Sequence, residues 1–304
     1  MPELRAGMGI GAATGIVEWQ GKVRQADLSF LCAKALEAGI EPDYVRSLIR
    51  KRHLSPVGIG AHLESWPWPI KIYTLGRFAL VKDGKPVSFN GKTQKRPLDL
   101  LKALIALGGR NVNQARLIEA LWPDADGDAA AASFNMALKR LRELLGHPDA
   151  VLLTEHKLTV NAQLCWVDVW AFERGVALTQ HDEKEADHVL NLYHGPFLGD
   201  DEEPWSLSMR ERLRDSFLKH VQSCGERLEA QGEWARAIEW YQRGLRVDDL
   251  IEQFYQRLMT CQHQLGRRAE ALATYQRCKK TLAAHLGVAP SEKTQRLYQE
   301  IQTA

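Results

Sequence analysis

The 304 residues contain no CxxC pair, no HExxH, no GxSxG and no phosphate-binding glycine loop. These absences remove the commonest zinc, redox, serine-hydrolase and nucleotide signatures. Gly15 and Gly21 are separated by one residue too many, ahead of Lys22, for a phosphate loop, and Gly7-x-Gly9 lacks its third glycine on schedule. No apolar run approaches the roughly eighteen residues that span a bilayer, and the N-terminus has no continuous apolar core, so the expectation is a cytoplasmic protein with no membrane partner. The 5 cysteines are odd in number and widely spaced, which reads as reduced and structural. His181, Glu185 and His188 would share a helical face and suit a metal, but an exposed polar loop is the plainer reading. No catalytic residue, metal or cofactor is expected.

What is present is an uneven charge. Residues 1–69 carry 8 Lys+Arg against 7 Asp+Glu, residues 70–160 carry 14 against 9, and residues 161–304 carry 18 against 22. The net +2 therefore hides a basic middle segment of +5 and a C-terminal segment of −4. A basic segment suits a nucleic-acid partner, although five net charges alone are a weak sign.

Along the chain the rhythm changes three times. Residues 1–25 are glycine-rich and read as a flexible start. Residues 27–54 read as two helices, ending in the basic run Arg50, Lys51, Arg52 and His53, which reads as a solvated helix end rather than a DNA arm. Ser55 to Pro69, rich in Pro, Gly and Trp, reads as a linker with adhesive aromatic surface. At Ile70 strands begin: IKIYTLGRFALV, an Asp83-Gly84 turn, then KPVSF. TQKRPLDLLKALIALGG follows as a helix burying Leu98, Leu101, Leu104 and Ile105. NQARLIEALW is a second helix with Leu117, Ile118 and Leu121 inward, and SFNMALKRLRELLG a third. VLLTEHKLTV supplies two strands about a turn near Glu155-His156. Strands, three helices and a hairpin in that order predict a winged helix-turn-helix of the response-regulator kind over residues 70–165.

In the third helix Phe134, Leu138, Leu141 and Leu145 recur at helical spacing and form the buried face. Asn135, Lys139 and Arg142 then share an outward stripe with Arg140 beside it. Arginine forks onto guanine, asparagine bridges adenine and lysine neutralises phosphate, so these four are the candidate base readers in a major groove of double-stranded DNA. Lys92, Thr93, Gln94, Lys95 and Arg96, at the start of the first helix, are candidate phosphate contacts, as are His156 and Lys157 at the wing tip.

Residues 166–304 are helical, broken by the connector GPFLGDDEEPW. Shifting the chain by 34 residues superimposes Gly232 on Gly266, Ala235 on Ala269, Ala237 on Ala271, Tyr241 on Tyr275, Gln242 on Gln276 and Arg243 on Arg277. Small residues recurring at that period predict tetratricopeptide-like helical hairpins. The expected fold class is thus mainly α with small β: a winged helix-turn-helix plus a helical-repeat domain, after an N-terminal segment 1–69.

The segments IKIYTLGRFALVKDGKPV, GKTQKRPLDLLKALIALGG, LIEALWPDADGD, FNMALKRLRELLG and CWVDVWAFE resemble the winged-helix domain of bacterial transcriptional activators of the antibiotic-regulatory-protein type. GPFL…W and the following hairpins are similar to their bacterial transcriptional activator domain. The resemblance covers about residues 70–304. It implies promoter binding, often as dimeric subunits on direct repeats, and recruitment of RNA polymerase, with Ala130–Leu145 as recognition helix and Glu155–Lys157 as wing. The wing lacks the Gly-Tyr common in related winged helices. A protein-interaction scaffold whose winged helix binds no DNA is the alternative.

Overall fold

The computed structural model describes residues 1–15, 24–89, 95–178 and 183–303, without the side chains of Ile59 and residues 183–185. The chain forms two compact units. The first comprises residues 1–177 and 191–210, the second residues 178–190 and 211–304. Among the described residues the fold is mainly helical with two small sheets, in line with the predicted mainly α class with small β.

In the first unit, α1 (Pro2–Thr14), α2 (Gln25–Glu37) and α3 (Pro42–Lys51) precede the sheets. The glycine-rich start, expected to be flexible, is helical over Pro2–Thr14, while residues 16–23 of it lie outside the described residues. α1 buries Met8, and Gly11 has no side chain where the Tyr44 ring passes, so glycine here permits helix contact rather than disorder. Residues 55–69 are likewise not a linker. They form a 3-10 turn at Gly58–Ala61 and bury Trp66 and Trp68. Trp68 Nε1 donates to the Leu63 carbonyl at 2.8 Å, and Trp166 Nε1 reaches the His62 carbonyl at 2.9 Å. These aromatic groups place the tract against the strand that carries Trp166.

That strand belongs to a four-stranded sheet in the order β3 (Lys85–Pro86), β2 (Ala79–Lys82), β1 (Ile70–Tyr73), β7 (Cys165–Val167). β1 runs antiparallel to β2 and parallel to β7, Ile70 facing Cys165. α4 (Lys95–Ala106) buries Leu98, Leu101, Leu104 and Ile105, the face predicted from its period. β4 (Val112–Asn113) leads into α5 (Gln114–Leu121), whose N-cap Asn113 accepts a hydrogen bond from the Ala115 N–H. α6 spans Gly127–Leu145, so the helix begins six residues before Ser133 and includes the alanine run Ala129–Ala132. β5 (Val151–Thr154) and β6 (Lys157–Val160) complete a three-stranded sheet ordered β4-β6-β5.

Segments after residue 166 finish this unit. Asp168, buried at the start of α7 (Asp168–Leu178), accepts from the Thr74 and Leu75 N–H groups at 2.6 and 2.8 Å and from the Thr74 hydroxyl at 2.6 Å. The GPFLG tract is more than a connector: Phe197 and Leu198 are buried, and Leu198 N–H donates to the Thr74 carbonyl at 2.6 Å.

The second unit contains most of α8 (Glu183–Leu192), α9 (Leu207–Ala230) from residue 211, α10 (Trp234–Val247), α11 (Glu252–Gln264), α12 (Arg268–Leu286) and α13 (Glu292–Thr303). The 34-residue repeat has a direct structural meaning. Gly232 and Gly266 have φ of 77° and 70° and turn the chain after α9 and α11. Ala237 and Ala271 are fully buried in α10 and α12, where a larger side chain would hold the paired helices apart. Among the described residues all five cysteines are buried and none is in a disulfide, in keeping with their structural reading.

Candidate nucleic-acid interface

The packing of α6 decides which of its polar groups are available. Phe134, Ala137, Leu138, Leu141 and Leu145 are buried, with Phe134 edge-on to Trp122 at 6.5 Å between ring centroids. Asn135, Met136, Lys139, Arg140 and Glu143 are exposed. Among the described residues Asn135, Lys139 and Arg140 have no hydrogen-bond or ion-pair partner, so their donors are free to meet a ligand. Arg142 differs. It is half-buried, and its Nε and Nη2 donate to the Val151 carbonyl at 3.0 and 2.8 Å. A cleft of about 460 Å³ separates helix from hairpin, lined by Asn135, Leu138, Lys139, Arg142, Pro148 and Leu153 among others.

The hairpin beside α6 is the wing. Thr154 pairs with Lys157, leaving Glu155 and His156 as a two-residue turn with φ of 49° and 59°. Two left-handed residues form the turn that matches strand twist, normally filled by Asn-Gly. The wing thus forms without the glycine, and Glu155, His156 and Lys157 are all exposed at its tip. The His156 carbonyl accepts from the Gln114 N–H at 2.8 Å, which fixes the tip beside the start of α5.

At the start of α4, Lys92, Thr93 and Gln94 lie outside the described residues. Lys95 is exposed. Arg96 is also exposed, but its Nη1 donates to the Leu121 carbonyl at 3.1 Å and its guanidinium lies 5.9 Å from the Trp122 ring centroid. It caps the C-terminal end of α5, a favourable place for a cation. This end of α4 is not uniformly positive. Burial pushes the Asp99 carboxyl up, Lys102, Lys95 and Arg96 pull it down, and Glu203 pushes it up again.

Two further cations of this surface have partners distant in sequence. Lys82 of β2 places its ammonium where a Gly146 side chain would stand, at the left-handed C-cap of α6. Arg110 lays its guanidinium 5.1 Å from the Trp170 ring centroid, so that charge is anchored to α7. Both partners are more than fifty positions away in sequence, beyond the reach of any local period. Among the described residues no group of three or more His, Cys, Asp or Glu is placed to hold a metal ion, and the side chains of His181 and Glu185 lie outside them. No helix among the described residues is long and apolar enough to cross a membrane.

The helical half decides what the chain resembles. Residues 167–302 match the bacterial transcriptional activator domain. The chain is also similar to the regulatory protein AfsR of Streptomyces griseus, 27% identical over 227 residues, covering 72% of this chain and 23% of AfsR. It is 27% identical over 246 residues to the transcriptional regulatory protein EmbR of Mycobacterium tuberculosis H37Rv, covering 75% of this chain and 62% of EmbR. The chain thus spans under a quarter of AfsR and less than two thirds of EmbR. The solved structure of M. tuberculosis EmbR with a low affinity phosphopeptide matches at a TM-score of 0.57 and 22% identity, over 77% of this chain and 65% of that one. That likeness supports the shared fold, a winged helix with a tetratricopeptide-like helical domain.

Proposed function

We propose that this chain is a sequence-specific, duplex-DNA-binding transcriptional regulator of the antibiotic-regulatory-protein type, acting in the cytoplasm as an activator that engages RNA polymerase. The observation that carries the proposal is α6: one face is sunk in the core, while Asn135, Lys139 and Arg140 stand exposed with unspent donors beside a preformed wing. In this reading the three enter the major groove and choose bases. Lys92, Thr93, Gln94 and Lys95 with part of Arg96, and His156 and Lys157 at the wing, neutralise phosphates and set orientation. The relatives' names as regulatory proteins and the activator domain support the same reading. Dimeric binding on direct repeats is part of the proposal.

Selection of bound duplexes from a random pool tests it. The wild-type chain is expected to recover a defined motif, with affinity falling steeply as salt rises because each phosphate contact releases a counterion. Lys139→Ala with Arg140→Ala is expected to abolish that preference, and each lost base contact costs about 1–3 kcal/mol of discrimination. Recovery of the same motif by the double variant would overturn the assignment of readers. Salt-independent or absent duplex binding would favour the scaffold reading instead.

A further inference from the structure

Arg142 has the residue type of a base reader but not the geometry of one. β5 is the outer strand of its sheet. With a two-residue turn, Thr154–Lys157 and Leu152–Thr159 are the pairs that exchange hydrogen bonds, and Val151–Val160, one position beyond Leu152–Thr159, is a pair that does not. The flanking bonds agree with that alternation, since Asn161 N–H donates to Ala150 O and Val160 N–H turns away to Gly109 O. The Val151 carbonyl therefore points away from β6, where no strand among the described residues completes it. Two nitrogens of Arg142 meet it. The joint between helix and hairpin is otherwise short, a left-handed Gly146 and a 3-10 turn at Pro148–Ala150, and the cleft lies along it.

We propose that Arg142 is a positioning residue, pinning the wing hairpin to the reading helix and so fixing the separation at which the two meet one duplex. The inference rests on the DNA-binding reading for its consequence, but the clamp itself exists without DNA. A charged donor forked onto one carbonyl resists sliding of β5 along α6 more than a single neutral bond does. Lys139 and Arg140, one turn and less away, have no such engagement and remain the readers. Loss of Arg142 then loosens the wing while leaving the outward stripe of α6 in place.

The test compares the wild-type full chain with Arg142→Ala, Arg142→Lys and Lys139→Ala by amide hydrogen exchange without DNA and by footprinting on the selected duplex. In Arg142→Ala, exchange of the β5 and β6 amides should rise about tenfold or more relative to those of α4, as expected for one lost charge-assisted bond. The footprint should shorten on the wing side with base preference at the α6 positions retained. Arg142→Lys keeps the charge but not the fork, so it should give an intermediate rise and the same shortened edge. Lys139→Ala should show the converse, altered base preference with unchanged wing exchange. Wing exchange unchanged in Arg142→Ala overturns the clamp, and altered base preference there returns Arg142 to the readers. If Arg142→Ala raises exchange throughout α4 as well, Arg142→Lys decides, and an unchanged wing in that variant overturns the proposal. Absence of duplex binding by the wild type defeats the DNA reading alone, because the exchange measurement still judges the clamp.

Discussion

Asp168 shows how a single residue joins distant parts of the first unit. Its carboxyl accepts from the N–H groups of Thr74, Leu75 and Val169 and from the Thr74 hydroxyl, closing the end of β1 onto the start of α7. Burial outweighs these donors and pushes its pKa from 3.8 up to about 6. A carboxyl whose folded pKa lies above its unfolded value binds a proton first in the folded state. Between pH 6 and 4 the folded chain therefore gains stability from this group as pH falls, an amount set by the shift and on the order of 2–3 kcal/mol. Asp168→Asn should remove that component: the urea midpoint of wild type should rise relative to the variant's on going from pH 7 to pH 5. Parallel midpoints for the two proteins would show that Asp168 does not titrate in this window. At the same scale the sequence discloses type but not commitment. Arg96, Arg140 and Arg142 look alike in a charge pattern, yet Arg96 caps α5 and Arg142 holds Val151, and only Arg140 is left with its donors free. Their acceptors are backbone carbonyls, which every residue has, so no side-chain pattern announces them.

Elements whose partners recur at a fixed period were legible, and those whose partners come from elsewhere were not. The buried stripes of α4 and α6 follow from spacing alone, because one face of each helix must meet the core. The hairpin after α6 follows from β-branched residues around a polar dipeptide. α1 and the tract 55–69 have weak periods and many glycines and prolines, and their order comes from Tyr44 and Trp166, which local windows omit. The helical repeat was visible because it imposes the same close contacts twice. Gly225 on α9 marks a further close approach in the same unit: a Cβ there would stand 2.5 Å from the Tyr241 ring, and Tyr241 itself is buried with its hydroxyl donating to Glu229 at 2.5 Å. Glu229 also receives Arg257 of α11 at 3.1 Å, so moving Tyr241 disturbs three helices. Gly225→Ala should therefore destabilise the second unit by about 1–3 kcal/mol, despite the better helix propensity of alanine. Urea unfolding followed by Trp234 and Trp240 fluorescence measures this, and a midpoint equal to or above wild type would refute the close-packing account.

For the whole molecule, the expected segments 70–165 and 166–304 and the two compact units divide the chain at different places. The activator-domain match begins at residue 167, but α7 and residues 191–210 belong with the winged helix. Charge makes the same point, because acidic residues of the connector meet basic ones of α4: Lys102 contacts Asp201 at 2.5 Å. Composition marks where helices and strands alternate, yet it does not mark which core a crossing segment completes. The consequence is measurable in truncated chains. Ending the chain at residue 165 removes Trp166 and Val167 of β7, all four hydrogen bonds to Asp168, and the buried Phe172, Phe197 and Leu198. Each buried aromatic ring lost from a core costs about 3–5 kcal/mol, and a domain of this size has only about 5–15 kcal/mol to lose. Residues 1–165 should therefore show no cooperative thermal transition and should bind a dye specific for exposed apolar surface, whereas residues 1–210 should melt cooperatively. A fragment 1–165 that melts cooperatively within a few degrees of 1–210 would mean that the winged helix closes its own core and that the later segments merely rest upon it.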